Sequence, residues 1–186
     1  GEDDRAQEWL RTSLERVSEF LTRQAGADGG LVEGFALGGA AVDDIVYLLQ
    51  CAAQVAGIEP PEAPYWAEAI HFPLYFIAPG GGSLANFADA GGPRGCPPYL
   101  LRLAQWLVER RQSPEAAWLL QRSGRGDAST ARLARPPEHL PLARHFGSVG
   151  WVAMRTGWGD ADALLAFRAG SAANHNHRDQ NSLILA

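Results

Sequence analysis

The hydrophobic residues of this 186-residue chain change their spacing once, near residue 125. Before that point they recur at intervals of three and four, which is typical of helices with one apolar face. From residue 149 they form short runs separated by glycine-rich turns, which is typical of strands. The sequence therefore predicts an α+β chain, with a helical part at 1–125, a connector at 126–148 and a sheet that begins at 149.

Local signals place the individual elements. Helices are predicted from Arg5 to about Arg23, from Ala41 to Ala56, from Tyr99 to Arg110, and from Pro114 onward. Asp4 and Ser113 are the expected N-caps, and Gly57 and Gly124 the expected stops. Strands are predicted at residues 151–155, at 163–168 and from Asn181 to Leu185. The pattern indicates helical hairpins followed by an antiparallel sheet.

Composition and charge disfavour some classes of binding partner. The formal net charge is −5 and all 16 basic residues are arginine, which disfavours a protein that binds nucleic-acid backbones. No apolar run reaches the ~18–20 residues of a membrane span, so none is expected. The first residues carry no signal-peptide pattern. Two cysteines, Cys51 and Cys96, are too few to indicate a disulfide scaffold.

The densest polar segment lies between the last two predicted strands, at residues 174–181. In an extended backbone His175, His177 and Asp179 would share one face, while Asn174 would lie on the other. Two imidazoles and a carboxylate could bind one metal ion or one substrate, or place a histidine near its physiological pKa beside a tuning group. A polar surface hairpin with ordinary exposed histidines is the alternative.

A second polar cluster precedes the second helix. It lies in a turn that contains Asp28, two glycines and Glu33. The glycines would let a ligand approach closely, and Glu33 would lie near a helix N-terminus. The alternative is a plain helix–helix turn. His71 lies in an apolar aromatic segment and is predicted to be a satisfied core histidine. The sequence contains no phosphate-binding loop, dinucleotide fingerprint or serine-hydrolase elbow.

Three consecutive segments, 150–158, 164–170 and 174–182, together resemble the heparinase II/III-like region of polysaccharide lyases. The shared pattern is a strand with a Met-Arg step, a strand that ends in glycine, and a His-x-His-x-Asp motif that leads into a serine-containing strand. The segments at 28–34 and 79–89 are similar to the helical half of oligoalginate- and heparin-type lyases. This resemblance implies part of an α/α toroid followed by the first strands of an antiparallel β-sandwich.

The resemblance also implies an activity and roles for named residues. Such lyases cleave uronic-acid polysaccharides by β-elimination, and they are secreted or periplasmic. By motif match, His175 would be the catalytic histidine, His177 would bind a zinc ion, and Asp179 would orient one of the two histidines. Asn174, Glu33 and Arg155 are the candidate substrate-binding residues. The implied partner is an acidic polysaccharide or oligosaccharide.

The chain departs from the family pattern in two ways. Relatives carry a catalytic tyrosine a few residues after the Glu-Gly pair, whereas here Phe35 follows and the next tyrosine is Tyr47. The further zinc ligands of the relatives lie outside these 186 residues. Three alternatives stay open beside the lyase, and the first two are a uronyl C5-epimerase and a non-catalytic carbohydrate-binding module. A zinc-stabilised helical protein is the third.

Overall fold

A layer of helices and a four-stranded antiparallel sheet meet along an aromatic core. The computed structural model describes residues 4–81, 84–85, 87, 96–170 and 181–186. The helices are α1 (Asp4–Arg23), α2 (Gly39–Ala56), α3 (Tyr65–Glu68), α4 (His71–Phe76), α5 (Pro98–Arg111), α6 (Pro114–Arg122) and α7 (Ala128–Leu133). The strands are β1 (Ala143–Phe146), β2 (Trp151–Arg155), β3 (Leu164–Arg168) and β4 (Ser182–Leu185). The predicted α+β class is confirmed.

The helix ends follow the predicted signals closely. Ser113 caps α6, because its side chain accepts a hydrogen bond from the amide of Ala116. Gly57 ends α2 in a left-handed conformation, with φ of 65°. One π-helical turn, Gly34–Gly38, precedes α2 and was not predicted. It continues directly into the α-helix, and it places Phe35 in the core.

The sheet runs in the order β1-β2-β3-β4, and every neighbouring pair is antiparallel. The three predicted strands are confirmed. The structure adds α7 and β1, both of which lie inside the segment expected to be a connector. Asp127 starts α7 with a capping box that it forms with Thr130. Strand β1 was missed because Arg144 and His145 give it a polar appearance.

One aromatic cluster joins the two layers. Phe35, Phe72 and Phe76 from the helical side pack on Phe146 and Trp151 from the sheet, with ring centroids 4.8 to 5.8 Å apart. All five side chains are buried. Packed aromatic pairs add to the free energy gained from burial alone. This cluster therefore fixes the sheet against α4 and the turn before α2.

The opposite face of the sheet is apolar and exposed. Register places Met154, Leu165 and Leu185 in one row across the strands, and Val152, Phe167 and Leu183 in the next. Exposed fractions reach 51% for Met154, 58% for Leu183 and 72% for Leu185. Contiguous exposed apolar surface of this kind marks a contact face.

The continuous helical segment Gly34–Ala56 is long and apolar enough to meet the criterion for a candidate membrane span. Length and composition are weak evidence here, because a core helix passes the same test. Val42, Val46 and Leu49 of this segment are buried in the protein core, while Asp43 pairs with Arg102 across the surface. The core-helix interpretation is therefore favoured. Cys51 and Cys96 are both free thiols.

Candidate functional site

The predicted His-x-His-x-Asp motif lies outside the described residues. Asn174, His175, His177 and Asp179 all fall in the segment 171–180. The described residues define only where this segment begins and ends. Arg168 and Ser182 are register partners on β3 and β4, and the amide of Ala169 donates to the carbonyl oxygen of Gly150 at 2.9 Å. The segment therefore leaves the sheet beside the β1–β2 turn.

The predicted acidic turn before α2 contacts that same end of the sheet. The Asp28 carboxylate accepts hydrogen bonds from the Ser148 amide at 3.0 Å and the Ser148 hydroxyl at 2.5 Å. It also accepts one from the Gly30 amide at 3.0 Å. The β1–β2 turn is thus tied to the glycine-rich turn, and two regions that the sequence separates by 120 positions come together.

These bonds change the ionisation of Asp28. Partial burial disfavours its charged form, yet the hydrogen bonds from Ser148 and Gly30 outweigh that effect and hold the pKa of Asp28 below its usual value. The carboxylate is therefore charged at neutral pH, and its hydrogen bonds join the glycine-rich turn to the β1–β2 turn. It is a structural group rather than a free acid or base.

Glu33 lies where the sequence predicts it, immediately before the π-helical turn that starts at Gly34. Its side chain is half-buried and makes no capping hydrogen bond. Gly34 adopts a left-handed φ of 71°, which lets the chain reverse between Glu33 and the buried Phe35. The structure therefore keeps Glu33 on the surface at the same end of the molecule as Asp28.

A further charged cluster was missed by sequence reasoning. The Glu68 carboxylate contacts His71 Nδ1 at 2.6 Å and accepts from Arg144 at 2.7 Å. The Arg144 guanidinium also stacks on Phe146, 4.8 Å from the ring centroid. Partial burial opposes the charge on Glu68, but the bonds from His71 and Arg144 hold its pKa below the usual value. His71 is confirmed as a satisfied histidine, and the Glu-x-x-His spacing was the available signal.

Arg155, the last residue of β2, contacts the helical layer. Its Nη1 group donates to the carbonyl oxygens of Tyr75 and Ile77 at 3.0 and 2.8 Å, and its Nε donates to the carbonyl oxygen of Gly157 at 3.2 Å. The guanidinium lies over the Trp158 ring, 4.7 Å from its centroid. These contacts bind β2 to α4. A substrate-binding role for Arg155 stays a prediction.

The residue that follows the Glu33-Gly34 pair belongs to the core. Phe35 is 2% exposed and stacks on Phe72 with centroids 4.8 Å apart. Tyr47, the next tyrosine along the chain, points outward from α2 with 69% of its surface exposed. Among the described residues, no three His, Cys, Asp or Glu side chains lie close enough together to hold a metal ion.

Two solved structures share this arrangement of helices and strands. The crystal structure of heparinase III matches with a TM-score of 0.78 and 19% sequence identity, over 98% of this chain and 30% of that one. A mutant of the heparan sulfate lyase HepC from Pedobacter heparinus matches with a TM-score of 0.72 and 15% identity, over 98% of this chain and 28% of that one. This chain has the fold of part of heparinase III.

The likeness confirms the resemblance expected from the sequence, and it does so at the level of fold. The chain spans less than a third of the length of either lyase. No family model matches the sequence, and no curated protein matches it. The mixed architecture is confirmed, whereas the complete toroid and sandwich stay predictions.

Proposed function

We propose that the protein containing this chain is a polysaccharide lyase that acts on acidic, uronate-containing glycans. The observation that carries the proposal is the fold shared with heparinase III over 98% of the chain, combined with the sequence motif at 174–179. A secreted or periplasmic location and an extended acidic polysaccharide as partner follow from the same proposal.

The proposed reaction is β-elimination across C5 and C4 of a uronate. A base removes the C5 proton, the electrons form the C4–C5 double bond, and O4 leaves with a proton from an acid. Neutralising the uronate carboxylate makes the C5 proton more acidic and stabilises the charge that develops. His175 is the proposed proton-transfer residue. Asn174 and Glu33 are the proposed substrate-binding residues of this cleft, and Asp179 would orient a histidine. Arg155, the third predicted substrate-binding residue, lies at the other end of β2 and is not assigned to this cleft.

The joint between Asp28 and Ser148 supports a cleft at this end of the sheet. It brings the turn that carries Glu33 to the same side as the ends of β3 and β4. Residues from the helical part and from the motif could then face one glycan from two sides. Rigid scaffolding of this kind is what a catalytic constellation needs.

Zinc is proposed as a structural ion with His177 as one ligand. The described residues alone do not fit a zinc site, since none of their side chains forms a group of three ligands. A structural zinc site needs four ligands, so the others would come from parts of the protein outside this chain. Metal content measured by mass spectrometry should fall when His177 is replaced by alanine.

The decisive experiment records the ultraviolet absorbance of the unsaturated uronate product. The assay uses the full-length protein to which this chain belongs. Heparan sulfate, alginate and a neutral glucan are each tested separately as the substrate. We expect absorbance to rise with heparan sulfate or alginate but not with the neutral glucan. His175→Ala should lower the rate of this rise at least about 100-fold. His139→Ala, at an exposed histidine beside Glu115, is the matched control and should leave the rate unchanged.

Three outcomes would overturn the proposal. They are no absorbance rise with any acidic glycan, an equal rise with the neutral glucan, or an unchanged rate in His175→Ala. Inverted stereochemistry at C5 without chain cleavage would identify an epimerase instead. Binding of oligouronates without any reaction would identify a binding module.

A further inference from the structure

A pocket opens where the β2–β3 turn meets the helical layer. It is lined by Leu74, Ile77, Trp118, Arg122, Arg155 and Trp158, among others. Its enclosed volume is about 30 Å³, and it opens to solvent at its mouth. We call it the Trp158 pocket. Its lining combines two guanidinium groups with two indole rings, and none of the described residues that line it is acidic.

Two residues that line the Trp158 pocket carry unused hydrogen-bond donors. The indole Nε1 of Trp158 is buried and has no partner among the described residues. A buried donor without an acceptor costs free energy, so such groups are uncommon in native proteins. Arg155 uses its Nε and Nη1 groups on three carbonyl oxygens, which leaves its Nη2 group without a hydrogen bond to any described residue. Both donors are suited to an oxygen acceptor.

The charges around the Trp158 pocket favour an anion. Arg155 remains protonated at neutral pH although burial lowers the pKa of its guanidinium. Arg122 stacks over Trp118 at 5.3 Å and pairs with the exposed Asp160. The adjacent Cys96 thiol stays neutral, since burial raises its pKa to about 11. The Asp162 carboxylate interacts electrostatically with Arg155 and accepts hydrogen bonds from the Thr156 hydroxyl and the Gly159 amide.

This pocket lies at the end of the sheet opposite the one where β3 ends and β4 begins. Arg155 pairs with Leu164, whereas the motif segment leaves β3 beyond Arg168, the partner of Trp151. Four residues of strand separate the two ends, which corresponds to about 13 Å. The Trp158 pocket is therefore a separate site from the proposed cleft.

We propose that the Trp158 pocket binds one oxyanion group, a carboxylate or a sulfate, of an acidic ligand. The guanidinium groups of Arg122 and Arg155 supply charge, and the Trp158 indole N–H supplies the orienting hydrogen bond. The Trp118 and Trp158 rings provide apolar surface for the remainder of the ligand. This proposal does not depend on the lyase activity, because it concerns a different end of the sheet.

The test follows the indole N–H resonance of Trp158 by NMR in the 186-residue chain. Sodium sulfate, glucuronate and neutral glucose are titrated separately at constant ionic strength. We expect a saturable shift with glucuronate, sulfate or both, and none with glucose. A response to glucuronate alone identifies a carboxylate as the bound group, and a response to sulfate alone identifies a sulfate.

Variants then examine the two kinds of donor. Arg122→Gln and Trp158→Phe should each weaken binding by about tenfold or more, measured by calorimetry, because each removes an interaction with a charged group. Arg125→Gln, at an exposed arginine outside the pocket, should leave the affinity unchanged. Circular dichroism confirms that each variant folds. The proposal is overturned if neither anion gives a saturable shift, if glucose shifts the resonance equally, or if both pocket variants bind as tightly as the Arg125→Gln control.

Discussion

Two half-buried carboxylates, Asp28 and Glu68, connect the helical part of the chain to the sheet. Asp28 binds the β1–β2 turn through Ser148, and Glu68 binds β1 through Arg144. Each replaces hydration with charged or polar partners, so the pKa of each is lowered. Such groups stabilise the folded state only while they are ionised.

This coupling predicts that the protein loses stability in acid. Both carboxyl groups have a lowered pKa in the folded state, so the unfolded chain binds protons first as the pH falls. The stabilisation is complete well above the ordinary carboxyl pKa of about 4, and it is lost as the pH falls below that value and through the lowered pKa of the folded state. Urea midpoints measured from pH 7 to pH 3 should fall accordingly.

Substitution of Glu68 measures how much this carboxylate contributes to the pH dependence of stability. Glu68→Gln should lower the urea midpoint at pH 7 and make its decline toward pH 3 shallower. Glu62→Gln serves as the control, because Glu62 is 85% exposed in a surface ion pair with Arg111, and such pairs contribute little. Identical pH profiles for Glu68→Gln and the unaltered chain would contradict the assignment.

Sequence reasoning reached these residues unevenly. His71 was identified as a satisfied histidine, since its partner Glu68 lies three positions away on the chain. Arg144 could not be connected with Glu68, because 76 positions separate them and only the folded sheet brings them together. The same limit applies to Asp28 and Ser148. Local motifs are visible in sequence, whereas joints between layers depend on tertiary structure.

At the scale of elements, the long periodic segments were predicted well and the short ones were not. Helices α1, α2 and α5 begin and end within two residues of their predicted bounds. The short helices α3 and α4 were hidden in a proline-rich aromatic stretch, where Pro73 lies inside α4. These helices carry hydrophobic residues on nearly all sides. They therefore lack the one-sided apolar pattern by which an amphipathic helix is predicted.

The glycine-rich turn before α2 gives an element-scale prediction. Gly29 has a φ of +88°, and a Cβ there would lie 2.3 Å from the carbonyl oxygen of Glu68. Gly29→Ala must therefore displace backbone as well as strain the left-handed conformation, and we expect a loss of more than about 2 kcal/mol in the free energy of unfolding. Urea denaturation measures it.

Gly57 provides the matched control. Its φ is +65°, but nothing lies within 4 Å of a Cβ at that position. Gly57→Ala adds only the conformational strain, so its cost should stay near 1 kcal/mol. Equal losses for the two variants would show that the contact between Gly29 and Glu68 does not constrain the turn.

For the whole molecule, the exposed apolar face of the sheet is the main unexplained surface. Leu183 and Leu185 lie on β4, the edge strand, with Met154 two strands away on the same face. The heparinase III chain is more than three times as long as its matched part. The β-sandwich implied by the sequence resemblance stays a prediction, and it would place a second sheet on this face.

A lysine at Leu183 tests this prediction. In the longer protein a covered Leu183→Lys would bury an unpaired charge, and we expect a loss of at least about 2 kcal/mol in the free energy of unfolding. In the 186-residue chain the same side chain is 58% exposed, so the change should stay within about 0.5 kcal/mol. Val55→Lys, at an 88% exposed valine on α2, should have little effect in either form. If Leu183→Lys behaves like Val55→Lys in the longer protein, no sheet covers this face.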